Sequence, residues 1–302
     1  MRQYNVPMRL VSSHPPPYLP ESGQTTVLRL GLQSLDAAQW MPTDSDLPRY
    51  HQHKLWARQQ YGDKVYQALP GSEAAQAELQ ALLLQHLLDD QAALYRREGN
   101  RLVHAPSQLS WDLTDHSLWQ TSLWVAEDLC LLEADGDGDY RLTAASVCAP
   151  SNWPLEEKMG ANLDRIHDPV PGYEQELAAR VNRLFASLQP HKPLLRFNWS
   201  LQRDSELFWR KDLGSGVGKG SAEPYWRVER QTLRRLPRSG AIVFGIRISL
   251  HSVQSLAAFP GAQAALAATL ATLPPDQQRY KGTEGLLFDQ SVTFIAPPAA
   301  LP

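Results

Sequence analysis

Hydrophobic periodicity changes several times along the chain, and each change marks a different kind of element. From Arg49 to Tyr66, and again from Ser72 to Arg97, apolar residues recur at three- and four-residue spacing, which predicts helices with one buried stripe. Leu79, Leu82, Leu83, Leu87 and Leu88 make the second stripe, and Ser72 before Glu73 supplies a helix start. After Gly99 the runs shorten to "RLVHA", "LWVAEDLCLLEA" and "YRLTAASVCA", predicting an antiparallel sheet. Helical spacing returns from Glu174 to Leu188, where Leu177, Val181, Leu184, Phe185 and Leu188 share a face and Pro190 stops the run.

"LLRFNWSLQ" then alternates Leu195, Phe197, Trp199 and Leu201 with Arg196, Asn198, Ser200 and Gln202, the period of a strand. "YWRVERQTLRRL" passes through "PRSG" into "AIVFGIRISL", a hairpin pattern. With a four-residue turn at Pro237 to Gly240, Arg230 faces Arg247 and Glu229 faces Ile248. Two arginines directly opposite each other are unfavourable unless an anion lies between them. Arg227, Glu229 and Gln231 share a face with Ile242, Phe244, Ile246 and Ile248, so charge adjoins apolar surface, as a bound amphipathic molecule with carboxylates requires. One bulge would exchange these faces, and solvated charges on an edge hairpin fit the pattern equally well.

The chain closes with Ala-rich helices from Ser252 to Gln278, then "YKGTEG" and a strand-like "SVTFIA". Five or so strands with helices interposed predict an α+β domain over residues 49–302, with residues 1–48, Pro-rich and irregular, as an arm laid across it.

Composition narrows the chemistry. At 302 residues and 43% hydrophobic the chain can bury a sizeable core. The 29 Lys and Arg against 32 Asp and Glu leave a net charge of -3, with no general attraction to nucleic acid or anionic membrane. The N-terminus lacks a signal-peptide core and no window reaches the ~18 apolar residues of a membrane span, so a cytoplasmic protein is expected. Cys130 and Cys148 are the only cysteines; they exclude a four-thiolate iron-sulfur cluster or zinc site and lack the C-x-x-C-H spacing of covalent heme attachment.

Two motifs fail on inspection. "EADGDGDYRLTAAS" opens like a calcium loop at Asp135, Asp137 and Asp139, but Tyr140 stands where the turn needs Gly and Ser146 where Glu should ligate. It reads instead as a hairpin turn that pairs Cys130 with a residue near Thr143, leaving Cys148 too far away for a disulfide. "LGSGVGKGSAEP" matches neither a phosphate loop nor a dinucleotide fingerprint, since Leu213 and Gly220 occupy the deciding positions. A mobile loop at 214–220, serving as a lid or a partner contact, is what remains.

Of nine histidines, His167 has the distinctive setting. In "WPLEEKMGANLDRIHDPVPGY" a short amphipathic helix with Leu155, Met159 and Leu163 ends at the histidine. Pro169 biases Asp168 away from helix, and Pro171 with Gly172 fixes a tight exit. Such a segment can hold an imidazole rigidly against a cofactor, or Asp168 and His167 can simply finish the helix.

"NWPLEEKMGANLDRIHDPVPGY", "RFNWSLQ", "WRVERQTLRRLPRSGAIVFGIRISL" and "YKG" together resemble the heme-dependent oxidative N-demethylase alpha-subunit-like family over about Arg49 to Gly285. The resemblance implies a PAS-like antiparallel sheet carrying noncovalent heme b, with a histidine on the iron. Transferred by motif, that ligand is His167, with Arg196, Arg227 and Arg230 as candidates for pairing the propionates because arginine matches carboxylates bidentately. It further implies removal of a methyl group from a secondary amine such as dimethylamine, with O2 consumed and formaldehyde released as a carbinolamine collapses. Electrons then come from a separate flavin and iron-sulfur reductase subunit. Glu229, Tyr173 and Trp199 are candidates for meeting the cationic amine. A PAS-like heme or small-molecule sensor without turnover is the alternative.

Overall fold

The computed structural model describes residues 10–21, 30–214 and 224–283, with the backbone of strands Leu287–Phe288 and Phe294–Ile295. Most of the glycine-rich stretch, from 215 to 223, lies outside the described residues. The described elements through α9 are, in chain order, β1 (Gln33–Ser34), α1 (Leu47–Tyr61), β2 (Tyr66–Ala68), α2 (Glu73–Asp89), β3 (Tyr95–Glu98), β4 (Arg101–His104), β5 (Leu109–Asp112), α3 (Leu118–Ser122), β6 (Asp128–Ala134), β7 (Tyr140–Ser146), α4 (Leu155–Lys158), α5 (Leu163–His167), α6 (Tyr173–Glu176), α7 (Ala178–Ser187), β8 (Leu194–Gln202), β9 (Tyr225–Arg235), β10 (Ile242–Ser252), α8 (Ala262–Thr272) and α9 (Pro275–Tyr280). The fold is α+β.

Seven strands form one antiparallel sheet in the order β1-β8-β9-β10-β6-β7-β2, and β3-β4-β5 form a small second sheet. Pairing of β9 with β10 runs without a bulge from Tyr225↔Ser252 to Arg235↔Ile242, so Arg230 lies opposite Arg247 and Glu229 opposite Ile248. The turn closes through Leu236 N–H to Ala241 O at 2.7 Å, leaving Pro237 to Gly240 as its four residues.

Both faces of the large sheet are covered. On one, Leu129, Leu131 and Val243 pack against α1, α2 and the arm residues Trp40 and Met41. On the other, Cys130, Leu132 and Ile242 meet α4 to α7 through Leu155, Leu163, Tyr173 and Phe185. α8 caps a third cluster around Trp199, Trp226 and Leu266.

The alternation of β9 decides what its charged residues do. Arg230 points to the arm side, where its guanidinium donates to Gln39 O (2.6 Å) and Trp40 O (3.1 Å). Arg247, its cross-strand neighbour, donates to Pro42 O at 3.0 Å and to the Asp44 carboxylate. Buried Glu127 also attracts both cations. The opposed arginines are therefore balanced by the arm and Glu127.

Several sequence expectations differ from the observed elements: the first helix ends at Tyr61, with Tyr66 in β2, and the second ends at Asp89, with Tyr95–Glu98 forming β3. The helix over 174–188 is two helices, interrupted at Leu177, whose φ of -122° leaves the helical range. Cys130, expected to pair near Thr143, pairs with Ala145: the turn centres on Asp137, which would put Ala144 opposite, and the β6–β7 register shift at Leu131/Leu132 adds one residue. Both cysteines are buried and free. Asp135 organises the hairpin turn, accepting from the N–H groups of Asp137 and Asp139 and from Arg141. No helix among the described residues is long and apolar enough to cross a membrane.

Candidate functional site

Between the large sheet and helices α4 to α7 lies a cavity of about 680 Å³. That volume falls within the ~300–1,000 Å³ range of small-molecule and cofactor sites. Its floor is the sheet face carrying Cys130, Leu132, Phe244, Ile246, Glu229 and Gln231, apolar toward β6 and β10 and polar toward β8 and β9. A second groove, lined mainly by charged residues such as Arg141, Glu156, Arg165 and Asp168, is more open, with only Met159, Gly160 and Ala161 as its apolar lining.

His167 stands in the wall of the first cavity. Asn162 caps α5, accepting from Arg165 N–H at 3.1 Å, and Pro169 prevents the helix from extending. The imidazole Nδ1 lies 2.7 Å from Leu163 O, and a carbonyl can only accept, so Nδ1 carries the proton and Nε2 the lone pair. Burial lowers the histidine's pKa, with the nearby Arg196 and Lys158 charges acting the same way, so the ring is neutral at neutral pH. No described residue bonds Nε2. Tyr173 stacks flat on the ring at 4.4 Å and 11°. Its own hydroxyl is buried without a hydrogen-bond partner among the described residues, and burial raises its pKa.

Across the floor runs a connected set of polar side chains. Lys281, just past α9, donates from Nζ to Asn198 Oδ1 (2.7 Å) and to Trp199 O (2.8 Å). Asn198 Nδ2 donates to Glu229 Oε2 at 3.1 Å, and Gln231 Nε2 donates to the same oxygen at 2.8 Å. Arg227 Nε approaches Glu229 Oε1 to 3.6 Å. Lys281 is 3% exposed, and burial brings its pKa down to about 7 against the opposing pull of Glu229. Lys281 is held there by Gly282, at φ +70°, where a Cβ would collide with Leu201 O.

The cavity brings together His167, Tyr173, Arg196, Trp199 and Glu229. It leaves out Arg230, which serves the arm on the other face. Arg227 is wholly buried beneath the floor, donating to Ala149 O (2.6 Å) and Gln202 Oε1 (3.3 Å); it fixes Glu229 and does not line the space. The Trp199 indole stacks on Trp226 at 4.9 Å with Lys281 Nζ 5.1 Å from its centroid, so its cation-binding position is already taken. Lys281, Asn198 and Gln231 are site residues that sequence reasoning missed. The only signal for the lysine was its place in "YKG".

The residues present fit a heme. A neutral imidazole with a free Nε2 is a common iron ligand, the bond to Leu163 O sets its tautomer, and Arg196 offers a cationic partner for a carboxylate beside an apolar floor. Comparison with known families agrees with that chemistry. A family model described as "Haem-dependent oxidative N-demethylase, alpha subunit-like" matches residues 31–287, most of the chain, and the protein belongs to this family.

Proposed function

We propose that the cavity holds noncovalent heme b, with His167 Nε2 on the iron, and that the protein oxidatively N-demethylates a small secondary amine of the dimethylamine type. The observation that carries this reading is the His167 arrangement: an imidazole in the cavity wall, its proton committed to Leu163 O and its lone pair left over. Arg196 is proposed to pair a propionate. A PAS-like reading of residues 49–302 is supported by strands β6 to β10, whose order β7-β6-β10-β9-β8, with α4 to α7 inserted between the second and third strands, is 2-1-5-4-3. Residues 1–48 are read as the arm.

The heme supplies O2 activation when bound, using electrons from a separate flavin and iron-sulfur reductase subunit, since two cysteines cannot hold a four-thiolate cluster in this chain. The protein's own groups do the rest. Glu229, fixed by Asn198, Gln231 and Arg227, presents a carboxylate at the floor that attracts a secondary ammonium ion. The Tyr173 hydroxyl has a hydrogen bond to give, and Trp199 acts on the amine only at one remove, by steadying Lys281. Apolar walls exclude water, which strengthens the pull of Glu229 on the ammonium.

The test is product formation. Heme-loaded protein given a reductant, O2 and dimethylamine is expected to release formaldehyde, and Glu229→Gln to raise KM for the amine. Absence of formaldehyde across a broad panel of N-methylated amines would place the protein with heme sensors that bind without turnover.

A further inference from the structure

Resting on the demethylase reading, we propose that Lys281 is the proton-exchanging residue of the site, taking a proton from the bound secondary ammonium before oxidation and returning it to the amine that leaves. The geometry comes first. An amine nitrogen has three positions besides its carbon, and at Lys281 two of them point at fixed acceptors, Asn198 Oδ1 at 2.7 Å and Trp199 O at 2.8 Å. Neither acceptor can donate to Nζ, since Oδ1 of Asn198 and a backbone carbonyl only accept. Only the third position can change between a proton and a lone pair; no hydrogen-bond acceptor among the described residues takes it, the Trp199 and Tyr280 rings lie 5.1 and 5.5 Å from Nζ, and Lys281 lines the cavity.

The surroundings suit the exchange. Lys281 and the proposed ammonium anchor, Glu229, are joined through one side chain, Asn198, whose Nδ2 donates to Glu229 Oε2. The charges acting on Nζ are Glu229 on β9 and Arg196 on β8, with the Tyr280 ring 5.5 Å away, while Asp276 and Arg279 on the preceding helix line the same cavity. Burial and Arg196 disfavour the ammonium form and Glu229 favours it, which brings the group to about 7. A base poised there accepts a proton readily at neutral pH.

The reaction needs such a group twice. A secondary ammonium has no lone pair to assist loss of hydrogen from its methyl group, so its N–H proton passes to neutral Lys281, giving a free amine and Lys281-NH3⁺. Oxidation uses O2, two electrons from the reductase and two protons from solvent, and yields a neutral carbinolamine, R–NH–CH2–OH, and water. Lys281-NH3⁺ then returns its proton to the nitrogen as the C–N bond breaks. The hydroxyl proton passes to the same nitrogen as formaldehyde forms, so the primary amine departs as its ammonium ion. Protons balance across the cycle, and Lys281 ends neutral.

Lys281→Met and Lys281→Arg, each heme-loaded, test this. Arginine keeps the cation and donors for both acceptors but does not release a proton. We expect both variants to keep the wild-type Soret band, and kcat/KM for dimethylamine at pH 7 to fall about 100-fold in each. In wild type, kcat/KM should rise with pH and level off above an inflection near 7. In both variants it should keep rising toward the amine's own pKa. Lys281→Arg with wild-type rate and profile would overturn the proposal, leaving a plain structural cation. Loss of the heme band in both variants would overturn it too, assigning Lys281 to cofactor binding. If wild type itself makes no formaldehyde, the demethylase reading fails and this proposal falls with it.

Discussion

The imidazole of His167 lies flat against the ring of Tyr173, 4.4 Å between centroids and 11° from parallel, while its Nδ1 is tied to Leu163 O on its own helix. Two contacts thus fix both the tilt and the rotation of one side chain. The link between the two residues is the turn at Pro169 to Gly172: Val170 N–H returns to His167 O at 2.8 Å and Tyr173 N–H to Val170 O at 3.1 Å.

Tyr173 can be split into its ring and its hydroxyl. Tyr173→Phe removes a buried hydroxyl that has no described partner, so stability of the heme-free protein should change by no more than about 1 kcal/mol. Tyr173→Leu removes the stacking surface, and the resulting freedom of His167 should broaden or shift the heme absorption. Equal spectra for Tyr173→Leu and wild type would show that the stacking does not position the histidine.

Arg227 and Arg230, three residues apart on one strand, should fail differently. Arg227→Met strips a fully buried cation from Glu229 and two further acceptors, and should cost about 3–5 kcal/mol in denaturant unfolding. Arg230→Met should loosen the arm at Gln39 and Trp40 while leaving heme uptake at the wild-type level. Loss of heme affinity in Arg230→Met with unchanged stability would contradict this division.

Gly282→Ala should disable the site from outside the cavity. The position combines a left-handed φ of +70° with contact against Leu201 O, so an added methyl costs about 1–3 kcal/mol and pushes Lys281 off Asn198. A thermal shift together with loss of demethylation is expected; wild-type values for both would rule out the close approach.

Acid should weaken the fold through its buried histidines. Burial lowers His53 and His251 to about 4, from about 6.5 in the unfolded chain. Between those values the unfolded state binds more protons, so stability is full above pH 6.5 and is lost as pH falls toward 4. His53→Gln, which keeps a donor for Cys148 O without a titrating ring, should flatten the dependence of unfolding midpoint on pH. An unchanged slope would remove His53 from this account.

The sequence was most legible where one face of a strand is buried. Alternation marked β8 from Leu194 to Gln202, and the turn "PRSG" fixed the β9–β10 register that places Glu229 opposite Ile248. Which face held the cavity was not legible, because arginines occupy both faces of β9 and only the arm, about 190 residues earlier, claims Arg230. Lys281 was invisible for a similar reason. Its burial depends on docking against β8, some 80 positions away, and an isolated lysine carries no periodic signal. His167 stood out because its restraint is local, written into the prolines that follow it.

The most direct measurement is the absorption spectrum of purified protein reconstituted with heme, taken for wild type, for His167→Gly, and for His167→Gly with added imidazole. Wild type should show a Soret band, His167→Gly an altered or absent one, and free imidazole should restore the wild-type ferric spectrum by filling the vacated position. No heme uptake by wild type, or a His167→Gly spectrum indistinguishable from it, would contradict His167 as the iron ligand.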